Sequence, residues 1–122
     1  MDFNSDNSSI DWSTFGQIIE LDEDSKTRDF SRTLVSKYYE QADQTFAGME
    51  DALTKGDLEA LSKLGHFLKG SSASLGLVKM EYICEEIQYA EGKSPAELEQ
   101  LIANARLEHQ VVTRKLEEFY KN

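Results

Sequence analysis

Residues 57–76, DLEALSKLGHFLKGSSASLG, carry the reading of the whole chain. Leu61, Leu64, Leu68 and Leu75 recur at helical spacing and form one apolar stripe. At about 100° per residue, His66 falls roughly 170° from the centre of that stripe and is expected to face solvent. Lys69 follows one turn later, while Gly70 and Ala73, at i+4 and i+7 from the histidine, are small. Glycine inside a helix costs about 1 kcal/mol relative to alanine, so its presence needs a reason. Access is one such reason, because a bulky side chain at i+4 would cover the imidazole. A lone surface histidine is by itself only a solvated residue. An exposed imidazole with a cation one turn away and a cleared surface has the features of a phosphoryl acceptor.

The chemistry suits that residue type. A neutral imidazole nitrogen can attack phosphorus without first losing a proton. With an ordinary pKa near about 6.5, most histidine side chains are neutral at cytosolic pH. Phosphoryl transfer asks mainly for positioning and charge stabilisation, which Lys69 can supply. No Walker or kinase element follows Gly70 or Gly76, so the chain is expected to be a phosphoryl carrier without ATP-dependent autokinase activity.

Outward from this helix, a single proline and no alternating pattern point to an all-α fold. A first helix is predicted near Asp11–Leu21, followed by a solvated acidic turn from Asp22. A second runs from about Lys26 to Thr54 and stops at Gly56. Asp57 caps the third, which ends at Gly76, and a fourth runs from about Leu77 to Glu91. Ser94-Pro95-Ala96-Glu97 is a capping box opening a last helix to about Tyr120. The expected architecture is an antiparallel four-helix bundle with an additional short N-terminal helix across one end. Residues 1–9 read as a flexible arm and residues 10–122 as one domain.

Composition narrows the function. Thirteen Lys and Arg against 23 Asp and Glu give a formal charge of −10, which repels nucleic-acid backbones, and no basic patch offsets it. Cys84 is the only cysteine and lies on the apolar stripe of its helix. No run approaches the roughly 20 apolar residues that span a bilayer, and Met1–Ser9 lacks the pattern of a signal peptide. A cytoplasmic and nuclear location and a monomeric state are expected. Neither histidine has a Glu at i−3 (Lys63 and Arg106 stand there), so a di-iron bundle site and any other metal site are not expected. His109 falls within roughly 30° of the middle of the last helix's apolar stripe and reads as a core or boundary residue.

The segment from His66 to Gly76 resembles the HxLKGSSxxLG signature of histidine-containing phosphotransfer (HPt) domains. The likeness continues through Asp11-Trp12, Ile18-Ile19, Asp22-Glu23-Asp24, Asp29-Phe30-Ser31, Gln44-Thr45-Phe46-Ala47 and Cys84-Glu85-Glu86-Ile87-Gln88 to fungal phosphorelay members. The stretch between Gln88 and the last helix is shorter than in insertion-bearing members. The resemblance implies that His66 takes a phosphoryl group from the receiver domain of a hybrid sensor histidine kinase and passes it to response-regulator receiver domains. It implies no cofactor here, with Mg²⁺ held only by the partner receiver. It also implies that Gln88 hydrogen-bonds at the active histidine and that Ser71 takes part. By spacing alone, Gln88 is a boundary residue flanking Met80, Ile83, Cys84 and Ile87, and Ser71 lies about 140° from His66.

A docking surface is expected on the first two helices. Trp12, Phe15 and Ile19 share one apolar face of the first, and Thr14, Ile18 and Leu21 share a second, more than one core can bury. Phe30 and Leu34 drift off the apolar stripe of the second helix. Thr14, Phe15, Ile18, Leu21, Phe30 and Leu34 match positions that meet receiver domains in the resembled family. A helical adaptor that docks receivers with His66 inert is the competing reading.

Overall fold

Helix follows helix, with no strand, among residues 9–121, the part of the chain that the computed structural model describes. They are α1 (Trp12–Ile19), α2 (Asp29–Lys55), α3 (Leu58–Ser74), α4 (Val78–Gln88) and α5 (Pro95–Lys121). Polar side chains set several starts. Asp11 accepts the backbone N–H groups of Ser13 (3.1 Å) and Thr14 (3.4 Å) at α1. Asp57 accepts that of Ala60 (3.0 Å) at α3. At α5, Ser94 Oγ accepts from Glu97 N (3.1 Å) and Glu97 Oε1 from Ser94 N (3.4 Å), the reciprocal capping box expected there.

Three boundaries differ from the sequence reading. The second helix begins at Asp29 rather than near Lys26, because Asp22 reaches forward to cap it, accepting from Ser31 N (2.8 Å) and Ser31 Oγ (2.7 Å). Asp22 is therefore a half-buried cap rather than a merely solvated turn residue. The first helix stops at Ile19, where the N–H groups of Leu21 and Asp22 tighten onto the carbonyls of Ile18 and Ile19, both 3.0 Å. The fourth stops at Gln88 rather than near Glu91. Residues 1–8, most of the expected arm, lie outside the described residues. Ser9 and Ile10 are buried, so the packed domain already includes Ser9.

The four longer helices close a ring in which α2 packs on α3, α3 on α4, α4 on α5 and α5 on α2. Val35, Ala42, Phe46 and Met49 meet Leu61, Leu68, Met80, Ile87, Leu98, Ile102 and Leu116 in the centre. Each of these side chains larger than alanine stabilises the fold by about 1.5–3 kcal/mol through burial. Cys84 is fully buried, and burial pushes its thiol up to about 12, which makes it a core residue. Tyr38 OH and Ser72 Oγ, 2.9 Å apart, satisfy one another inside.

The short α1 lies across one end of the ring. Phe15 is fully buried and stacks edge-on against Trp12 and Phe119, ring centroids 5.7 Å away in both cases. The sequence reading counts Phe15 among the docking residues. The structure removes it from that set, because its face of α1 turns inward onto the end of α5. The other anchor is the α3–α4 turn, where Asp11 N donates to Gly76 O (2.7 Å). Gly76 has φ +77°, and a Cβ there would come 2.7 Å from Asp11 O, so only glycine fits.

The tightest approach in the bundle is between α3 and α4. A Cβ on Gly65 would lie 2.8 Å from Gln88 N, 3.0 Å from Cys84 O and 3.1 Å from Ile87 C, all backbone atoms that cannot rotate away. Gly65→Ala is expected to lower stability by about 1–3 kcal/mol, as overpacked cores do. Gly70→Ala, where a Cβ meets nothing within 4 Å, is expected to raise it by up to about 1 kcal/mol. Chemical denaturation of both variants checks the pair, and equal effects would show that α3 and α4 can separate at little cost.

Candidate functional site

His66 stands exposed near the middle of α3, with Phe67 (48% exposed), Gly70 and Ser74 around it on the outward side. The open space at Gly70 keeps the i+4 position next to the ring clear. The two glycines of α3 thus have opposite uses. Gly65 admits another helix, and Gly70 leaves room for something outside the fold.

Because α3 and α4 run antiparallel, residues face one another in rungs. Ser62 Oγ donates to Gln88 O (2.6 Å), and two turns further along α3 Lys69 Nζ pairs with Glu85 Oε1 at 3.3 Å. His66 lies between these two rungs, and a Cβ on its neighbour Gly65 would come 2.8 Å from Gln88 N. Gln88 Oε1 is buried without a hydrogen-bond partner among the described residues, an acceptor left for a neighbouring N–H. Lys69, held by Glu85, and Gln88 thus both lie on the α4 side of α3. The sequence reading missed Glu85, because an ion pair across two helices leaves no periodic signal in either one.

Ser71 faces the other way. It lines a groove of about 380 Å³ between α1, α2 and α3 together with Ile18, Leu34, Lys37, Gln41 and Ser74. The structure so separates Ser71 from the Lys69–Gln88 side and joins it to two of the expected docking residues. Leu21 and Phe30 are exposed by 64% and 46%, Phe30 one turn before Leu34 on α2. Thr14 is partly buried and its hydroxyl donates to Asp11 (2.9 Å), so it serves the α1 cap. Phe67 is a further exposed apolar group that the sequence reading misses, because it falls on a variable position of the motif.

His109 sits in a different setting. Its ring lies 5.6 Å from Phe46, 5.9 Å from Tyr39 and 6.1 Å from Tyr38, centroid to centroid. Nε2 is 3.7 Å from an Asp43 oxygen, and Nδ1 is buried without a partner. Burial holds its pKa below 6.5, and Arg106 adds to the effect while Asp43 opposes it. It is the boundary residue its helical phase predicts. Among the described residues no cluster of three or more His, Cys, Asp or Glu could hold a metal ion, and no helix is long and apolar enough to cross a membrane.

Residues 33–118, which contain His66, Lys69, Gly70, Ser71 and Gln88, match the Hpt domain family. The multistep phosphorelay regulator 1 of Schizosaccharomyces pombe is 53% identical over 79 residues, covering 65% of this chain and 26% of that protein. The phosphorelay intermediate protein YPD1 of Saccharomyces cerevisiae is 45% identical over 80 residues, 65% of this chain and 47% of its own length. The chain thus spans a quarter to a half of the relatives it matches. In three dimensions it is similar to S. cerevisiae Ypd1 co-crystallised with the receiver domain of its downstream response regulator Ssk1. The TM-score is 0.83 at 28% identity, over 93% of this chain and 95% of that one.

The depressed pKa of His109 gives a pH dependence with a definite sign. Below about pH 6.5 the unfolded chain protonates this residue before the folded one does, so stability is full above that value and falls as pH drops toward the folded pKa. The stability difference between the native chain and His109→Gln should shrink from pH 7 to pH 5. Denaturation series across that range test it, and a constant difference would mean that His109 does not titrate on folding.

Proposed function

The chain belongs to the Hpt domain family, and on that premise we propose that it is the phosphoryl carrier of a multistep phosphorelay. A neutral nitrogen of His66 attacks the phosphorus of an aspartyl phosphate on a sensor-kinase receiver domain. The N–P bond forms as the P–O bond to the aspartate breaks, and that bond's electron pair stays on the released carboxylate. The remaining ring N–H keeps its proton or gives it to solvent. Attack by the aspartate of a response-regulator receiver runs the same exchange in reverse. Mg²⁺ belongs to the receiver's side of this complex, and the chain itself contributes no cofactor.

The observation that carries this reading is the exposed His66, flanked by Lys69, with open space at Gly70. Lys69 offsets the charge of the phosphoryl group, and Gln88 orients the ring. Thr14, Ile18, Leu21, Phe30 and Leu34, with Ser71 in the groove, receive the partner domain. The complex of Ypd1 with the Ssk1 receiver supports receiver domains as the partners. The carrier works as a monomer in the cytoplasm and nucleus.

His66→Gln should abolish acid-labile, alkali-stable phosphate incorporation from a phosphorylated receiver while moving stability by no more than about 0.5 kcal/mol, as exposed substitutions do. Gly70→Gln should block transfer by covering the ring even as it raises helix propensity. Phosphate that survives in the His66 variant moves the acceptor elsewhere. Receiver binding with no phosphate on the native chain leaves an adaptor with an inert histidine.

Leu21→Asp separates docking from chemistry. It should weaken receiver affinity by about 2 kcal/mol, the scale of an apolar interface anchor, with little change in the denaturation midpoint. Unchanged affinity measured by calorimetry removes Leu21 from the interface.

A further inference from the structure

Lys69 already has a partner. Its ammonium lies 3.3 Å from Glu85 Oε1 across the α3–α4 seam, with the lysine side chain 28% and the glutamate 43% exposed. His66 and Lys69 are one turn apart, so their Cβ atoms are about 5–6 Å from one another. The lysine stem is long enough to serve either Glu85 or a phosphoryl group on His66. Both are anions, so an ammonium held by the carboxylate has fewer of its three N–H donors free for phosphoryl oxygens. The surrounding chain carries a formal charge of −10, so a phosphoryl dianion on His66 depends on this local cation.

We propose that Glu85 is a positioning residue that competes with the phosphohistidine for Lys69. In the unmodified protein Glu85 draws the ammonium toward α4 and keeps the face of His66 clear for the incoming receiver. When the phosphoryl group arrives, Lys69 exchanges the carboxylate for phosphoryl oxygens, and Glu85 is left partly solvated. The exchange limits how strongly the carrier holds its cargo, which a relay intermediate needs in order to pass it on. No bond forms or breaks in this step, since only the partner of one ammonium changes. The proposal rests on His66 being the acceptor.

The test is a double-mutant cycle with Glu85→Gln, Lys69→Met and the pair, and with Glu86→Gln as a control that removes the same charge from the next position of α4. Phosphoramidate, a small P–N donor, loads the full chain without a receiver. Addition of the Ssk1 receiver domain then partitions the phosphoryl group. Glu85→Gln should shift the partition toward the carrier by about three- to fivefold, the range for a partly exposed charge pair, and less at high salt. ³¹P NMR should show the apparent pKa of the phosphohistidine falling by about half a unit, the same factor in protonation. Both effects should largely vanish in the Lys69→Met background, and Glu86→Gln should produce neither.

An effect of Glu85→Gln that persists at full size without Lys69, or that Glu86→Gln reproduces, overturns the proposal in favour of a general charge effect. No effect in a chain that loads normally overturns it as well. A native chain that takes no phosphate on His66 from either donor brings down the functional reading itself, so the two failures are distinguishable. Denaturation midpoints of the partly exposed variants keep an unfolded sample from being mistaken for either outcome.

Discussion

The contact on which the site depends is the backbone-to-backbone approach of α3 and α4 at Gly65. With no Cβ in the way, the backbone of α4 at Cys84, Ile87 and Gln88 comes within reach of α3. At that separation Ser62 can hold the Gln88 carbonyl at 2.6 Å and Lys69 can meet Glu85. A wider seam would leave His66 as a solitary side chain on a polar helix face. The narrow one sets a cation, an amide and a carboxylate at fixed places along the seam, because packed helices leave little freedom to the groups between them.

The opposite flank of α3 is organised by α1. That helix is short and would not be stable alone, since nucleation is costly and few hydrogen bonds repay it. It persists because Phe15 is buried in an aromatic cluster with Trp12, Phe119 and Tyr120, and because Asp11 is bonded to the α3–α4 turn at Gly76. With one face so committed, Ile18 is left on the rim of the groove that also holds Leu34 and Ser71. His66 therefore has polar, charged groups on the α4 side and an apolar, partly open surface on the α1–α2 side. That division suits the role proposed for His66.

The two histidines show how strongly position outweighs residue type. His109 is held among Phe46, Tyr38 and Tyr39, where burial disfavours its charged form. His66 is open to water on a helix face with a glycine cleared beside it. The difference follows from helical phase relative to the core, which the leucine pattern of one helix and the apolar stripe of the other already contain.

Much was legible before any tertiary contact was known. Leucine spacing, the Asp57 and Ser94 caps, and the glycines at 56 and 76 determine the helices and their ends to within a few residues. They do so because hydrogen bonding and periodicity within one helix are local matters. The exposure of His66 and the inward place of His109 follow from the same periodicity. What only the tertiary structure decided involves two elements at once. It turned Phe15 inward, gave Asp22 to the start of α2, separated Ser71 from Lys69, paired Lys69 with Glu85 and explained Gly65. Each of these depends on the distance and angle between helices, which arise from the packing of the whole core, and no single helix encodes them.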